Sequence, residues 1–218
     1  MSVEKNYFNL MDFFEGYVRN YRRLNLSKIH NRSMFTKREI DHFANLGEML
    51  GFDVFIEDSK FDNARGRSRP MDLAWWKGDA RMDDENFLYL ALHLEREFIW
   101  NKDEETIEKL FSDTIEGFIP HNVIGIQHIE SPDRIDYLND LILRKNVSQQ
   151  SNCLMIYRYY DKAYNFERVS AYNFTPQGFK EVRNAICDID ALDYWYICFE
   201  EEHKAIIRSQ EIQSPVLT

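Results

Sequence analysis

A chain of 218 residues with 44% hydrophobic and 15% aromatic content can bury one substantial core, and no run of about 18 apolar residues suggests a membrane span. A formal net charge of −10 argues against broad, non-specific coating of nucleic acid but leaves room for a local basic surface. Three cysteines, Cys153, Cys187 and Cys198, lack CxxC spacing and fit reduced thiols in a cytoplasmic protein, not a disulfide framework or zinc site.

In chain order, Phe8, Met11, Phe14, Tyr17, Val18 and Tyr21 recur at three- and four-residue steps and predict a helix over 4–24. Thr36-Lys37-Arg38-Glu39 reads as a capping box, so a second helix is expected from Thr36, ended by Gly51. Asp53 to Glu57 alternates with period two and predicts a strand; 71–76 and 87–97 are expected as two more. A helix is expected over 102–118, a short strand over 122–128, and a helix from Ser131-Pro132 to about Lys145. Strands are expected at 153–160 and 166–174, and Thr175-Pro176 reads as the start of a helix running to about Ile186. Residues 192–199 suit either a strand or the opening of a last helix. No linker divides the chain, so the expectation is one domain over 1–210 with its core at about 36–160 and a flexible tail at 211–218. The N-terminal Met-Ser-Val-Glu-Lys-Asn-Tyr has no basic start followed by an apolar stretch, which speaks against a signal peptide.

Two acidic motifs carry the chemical signal. Arg69-Pro70-Met71-Asp72 opens one apolar segment, and Glu95-Arg96-Glu97 closes another. Neighbouring strands can bring such ends together, and converging carboxylates repel unless a cation joins them. Hard divalent ions take oxygen ligands of this kind, and such an ion can clamp a phosphodiester and activate water. The loop before Asp72 contains Lys60, Arg65, Arg67 and Arg69. It is either solvated surface or a grip on a substrate backbone. No GxSxG elbow, GxxxxGK[ST] loop or GxGxxG stretch is present.

The order helix, strand, strand, strand, helix, strand, together with Pro70-Met71-Asp72 and Leu92-His93-Leu94-Glu95-Arg96-Glu97, resembles the core of the PD-(D/E)xK nuclease superfamily. Thr36 to Glu57, with Leu50-Gly51-Phe52-Asp53-Val54-Phe55, is similar to the first helix and strand of archaeal Holliday-junction resolvases. The resemblance covers about 36–118 and implies an α/β fold. The implied sheet is mixed and flanked by helices, a restriction-endonuclease-like αβββαβ core with N-terminal helical and C-terminal α+β additions.

It also implies a Mg²⁺- or Mn²⁺-dependent nuclease with Asp72 and Glu95 as metal ligands and Glu97 beside them. Lys60, Arg65, Arg67 and Arg69 would hold nucleic acid, DNA ahead of RNA. Glu39 resembles the superfamily's first-helix acid, which contacts the metal or its waters, although the capping box offers it a purely structural task. Glu97 stands where the superfamily has lysine, a departure that leaves open a catalytically inactive member binding nucleic acid or protein. A homodimer is compatible with either reading. His93 shares a strand face with Glu95. It is expected to be a hydrogen-bonded core residue more than a ligand, and the aromatics of 157–166 core pairs more than base-stacking groups.

Overall fold

Period-two and apolar runs become strands because alternate side chains fill opposite faces of a sheet. The structure, a computed structural model, describes residues 5–58, 71–79, 81, 87–112 and 118–203. Its strands are β1 (Asp53–Asp58), β2 (Met71–Gly78), β3 (Phe87–Glu97), β4 (Asn122–His128), β5 (Asn152–Asp161), β6 (Phe166–Thr175), β7 (Gly178–Ile189) and β8 (Trp195–Phe199). They lie side by side in chain order in one sheet. β1, β2 and β3 form an antiparallel meander, β3, β4 and β5 run parallel, and β6 to β8 return to antiparallel pairing. The fold is therefore mixed α/β, as the sequence implied.

Parallel neighbours need crossovers. These contain α3 (Asp103–Leu110) between β3 and β4, and α4 (Arg134–Gln149) between β4 and β5. On the other side of the sheet lie α1 (Leu10–Asn20), continued by a 3-10 turn at Tyr21–Leu24, and α2 (Arg32–Met49). Leu73, Trp75, Leu92 and Leu94 pack with Phe14, Tyr17 and Phe43 of this helical layer. Val123, Cys153 and Met155, one residue out of phase with Ile124 and Leu154, pack instead with Ile107, Leu110, Leu138 and Ile142 of α3 and α4. One glycine on each side lets a helix and the sheet approach closely. A Cβ at Gly47 of α2 would come within 2.6 Å of the Trp75 ring, and one at Gly125 of β4 within 2.9 Å of Leu110 in α3. Among the described residues no helix is long and apolar enough to cross a membrane.

Several boundaries differ from the sequence reading, each for a physical reason. The first helix spans 10–20, not 4–24, because the chain tightens to 3-10 geometry at Tyr21. α2 begins at Arg32, where Asn31 caps it by accepting the Met34 N–H at 3.0 Å. Thr36 and Glu39 are therefore interior helix positions, and the capping-box reading is overturned. α3 ends at Leu110 and α4 runs on to Gln149. Thr175-Pro176 starts no helix. Gly178 takes φ 125° and turns the chain back, so that β7 pairs along β6 from Thr175↔Gly178 to Glu167↔Cys187. Residues 195–199 resolve as a strand. β3 is followed in the sheet by β4 and then by β5, which contains the strand expected at 153–160. The expected tail at 211–218 lies outside the described residues.

Candidate active site

The register of β2 on β3 runs to Leu73 paired with Leu94; continued one step, it would set Asp72 opposite Glu95, whose charge acts on it. Directly opposed residues of an antiparallel pair share a face. Burial and then the charge of Glu95 push the Asp72 carboxyl up to about 7, against the backbone N–H of Arg96 and the ammonium of Lys109, which pull it down. That Arg96 N–H donates to Asp72 Oδ2 at 2.7 Å and fixes the side chain across the strand pair.

Glu95 is 1% exposed. Its Oε1 lies 2.9 Å from Nε2 of His93, two residues back on the same strand face, as expected for a hydrogen-bonded histidine. Its Oε2 lies 3.6 Å from Nζ of Lys109, in the last turn of α3. Lys109 was missed in the sequence. The helical pattern there put Ile107, Leu110 and Phe111 on the buried face, and a lysine beside them reads as solvated flank. The signal was available in the crossover itself, because a helix joining parallel strands lies over the first of them.

Glu97 follows the same alternation, but its Oε1 turns back to accept the N–H groups of Phe98 and Ile99 at 2.8 and 2.9 Å. Glu97 still raises Asp72 through its charge, as Glu95 does more strongly, but its oxygen is committed to the backbone, so Asp72 and Glu95 are the pair left to converge. Among the described residues no group of three or more His, Cys, Asp or Glu side chains is arranged to hold a metal ion. The pair still has the chemistry for one. A buried carboxylate whose proton is held toward neutrality by burial and then by a second carboxylate is one that a hard cation relieves. Mg²⁺ is commonly held by one or two carboxylates plus water and substrate phosphate oxygens. Asp72 and Glu97 open onto a cleft of about 570 Å³ whose opposite wall is the N-terminal half of α2, with Arg32, Thr36 and Lys37.

Glu39 does not join them. It is fully buried on the inner face of α2, where its Oε1 accepts from Arg158 Nη1 at 2.7 Å and from the hydroxyls of Tyr17 and Tyr21 at 2.9 and 3.0 Å. Its Oε2 is bonded to Arg96 Nε. Burial opposes ionisation here, yet Arg96 and Arg158 hold the carboxyl below the usual range. Two guanidiniums therefore fill the coordination that a cation would need, which corrects the expected metal role of Glu39. The network continues through Arg158 to Glu167 of β6 and on to His128 Nε2 at 3.5 Å. Arg96 was read only as the residue between two acids, and Arg158 as part of an aromatic stretch. Their burial shows the network that joins the helical layer to the sheet. The expected substrate-binding residues Lys60, Arg65, Arg67 and Arg69 lie outside the described residues.

No family model matches the chain. No curated protein matches it either. Among solved structures, the crystal structure of the central domain of yeast acetyl-CoA carboxylase is similar at 8% identity and a TM-score of 0.39, over 75% of this chain. This chain spans 26% of that one, and at such a score the likeness carries no argument about fold or function.

Proposed function

We propose that this chain is a nuclease-like domain that hydrolyses a phosphodiester in nucleic acid, DNA ahead of RNA, with Mg²⁺ or Mn²⁺. The observation that supports it most is the opposition of Asp72 and Glu95 at the ends of adjacent strands, with Asp72 pushed up to about 7 beside an open cleft. The element order α2, β1, β2, β3, α3, β4 is also that of the PD-(D/E)xK core to which the sequence is similar. Asp72 and Glu95 would hold the cation, which when bound supplies a Lewis acid at the phosphate and a nucleophilic water. The Arg96 backbone N–H holds Asp72 in place. Lys109 balances Glu95, and Glu97 borders the substrate. Arg65, Arg67 and Arg69 would grip the substrate backbone. Their joint replacement by Ala is expected to flatten the salt dependence of binding by roughly one unit of slope per lost phosphate contact.

The test is a pair of measurements on wild type and Asp72→Asn. Binding to the native state alone stabilises it, by about 2.7 kcal/mol at one hundred times Kd, so millimolar Mg²⁺ or Mn²⁺ should raise the wild-type Tm. The variant should lose most of that shift, and its cleavage of a labelled DNA strand should vanish. An identical metal response in both proteins would remove Asp72 from the site.

A catalytically inactive, nucleic-acid- or protein-binding member of the same fold is the second reading. The engagement of Glu95 by His93 and Lys109, and of Glu97 by its own backbone, favours it. Binding of nucleic acid without metal-dependent cleavage would select it.

A further inference from the structure

We infer that the cleft at Asp72 continues into a second pocket that takes one unpaired base of the bound strand; its placement rests on the nuclease-like reading. A cavity of about 280 Å³ adjoins the cleft, and both are lined by Arg32 and Phe98. Its volume lies just under the lower end of small-molecule pockets, about 300 Å³, so it suits a single ring system.

The walls have the chemistry of a nucleotide site. Phe98 directly follows Glu97 and is clamped as a partition. The His128 ring stacks on it at 4.2 Å and 15°, and the Arg96 guanidinium sits 4.2 Å from its centre. Phe35 meets Phe98 edge-on at 6.0 Å and Trp195 edge-on at 6.4 Å, making an aromatic corner. Aromatic surfaces of this kind hold unpaired bases of any sequence. Glu167 and Arg158, ion-paired, form the polar side of the same pocket. Arg158 is committed to Glu39, the two tyrosine hydroxyls and Glu167, so Glu167 is the polar group that faces the cavity; its carboxylate can accept from the pairing edge of a base, and that edge is free only when the base is unpaired.

Arg32 supplies the phosphate contact. Residues 19–38 are rich in arginine and lysine; of these, Arg19 is paired with Glu202 and Arg22 with Asp190. Arg32 is exposed and, among the described residues, has no carboxylate partner. Its guanidinium lies 5.8 Å from the Phe98 ring centre, on the wall between the two cavities. An uncompensated guanidinium between a carboxylate cleft and an aromatic pocket is placed for the phosphate that joins a base in one to a backbone in the other.

The experiment is calorimetric titration of the full chain in metal-free buffer with EDTA. The probes are the four deoxynucleoside 5′-monophosphates, with 2-deoxyribose 5-phosphate as the probe lacking a base. At least one nucleotide should bind about tenfold more tightly than the sugar phosphate, the scale of one stacked base. Phe35→Leu should bring that nucleotide down to the sugar-phosphate level and leave the sugar phosphate unchanged. Arg32→Gln, at an exposed position where folding is not at risk, should weaken both. Equal binding of nucleotide and sugar phosphate by wild type, or nucleotide binding indifferent to Arg32→Gln, would overturn the inference. Because neither metal nor turnover is involved, base-dependent binding without cleavage would sustain the pocket while sinking the nuclease reading. Cleavage with base-independent binding would do the reverse.

Discussion

The end of β3 separates two groups of buried charge that share almost every ingredient and differ in one. On the α2 side, Glu39 meets Arg96 and Arg158 directly, and the carboxyl stays ionised despite full burial. On the α3 side, burial and then the charge of Glu95 push Asp72 up to about 7, with a lysine near Glu95. Arg96 belongs to both, since its side chain serves the first group and its backbone N–H the second. A buried acid with guanidiniums against it is a structural joint. A buried acid set against another acid is under electrostatic strain that a ligand can relieve, which is why perturbed carboxylates of the second kind mark candidate sites.

The largest expected effect comes from breaking the joint. Arg158→Met leaves Glu39 and Glu167 facing each other's environment with less compensation, and removing one partner of a buried pair typically costs about 3–5 kcal/mol. Urea unfolding at neutral pH should show a loss of that order. The sign with pH is also set. Burial opposes ionisation of Glu167, but Arg158 and His128 hold it down to about 2. Its stabilising contribution is present above the unfolded carboxylate value and is lost as pH falls toward 2. Acid destabilisation should therefore be weaker in the variant than in wild type.

Asp72→Asn should act in the opposite direction. With a folded value of about 7 against 3.8, Asp72 keeps its proton in the native state over a range where the unfolded chain loses it. Stability from this group is full below about 3.8 and declines as pH rises to about 7. The asparagine removes that decline and can still accept the Arg96 N–H. The metal-free variant should thus be more stable than wild type at pH 8, by up to about 4 kcal/mol, and little different at pH 4. Chemical denaturation at the two pH values checks this, and a loss of stability at pH 8 would place Asp72 with the structural group.

Lys109→Met is a finer probe. Lys109 lowers the Asp72 value, so its removal should move the Asp72 titration upward from about 7, read by carboxyl NMR, with Lys109→Arg restoring it. The stability change should be on the order of 1–3 kcal/mol, above that of an exposed pair, because Glu95 is buried and the lysine only 18% exposed. Glu97→Gln should have the smallest effect of all. The amide oxygen can still accept from Phe98 and Ile99, so thermal unfolding should shift by no more than about 0.5 kcal/mol. A large loss of the Mg²⁺-induced Tm shift in this variant would instead return Glu97 to the ligand set.

Much of the sheet was legible in the sequence because strand signals are local. The span 87–97 is read to the residue, since its apolar run ends where its charges begin. The helix expected at 176–186 was not, because Thr-Pro is a good start signal only if the following residues have nothing better to pair with. Here the free edge of β6 provides that pairing. Glu39 shows the same limit at the level of side chains. Its spacing from Thr36 was compatible with a cap, but Asn31 had already capped the helix one turn earlier.

By itself the sequence determined the α/β class and the strands that carry Asp72 and Glu95, because alternation and turn residues act over a few positions. Only the tertiary structure decided which charges meet. Glu39 is 57 residues from Arg96 and 119 from Arg158, and no pattern of local spacing encodes their encounter. Burial then magnified the consequence. At low dielectric, the identity of the nearest charged neighbour sets whether a carboxylate is a locked joint or a poised site. That neighbour is chosen by packing across layers, not by the residues alongside it in the chain.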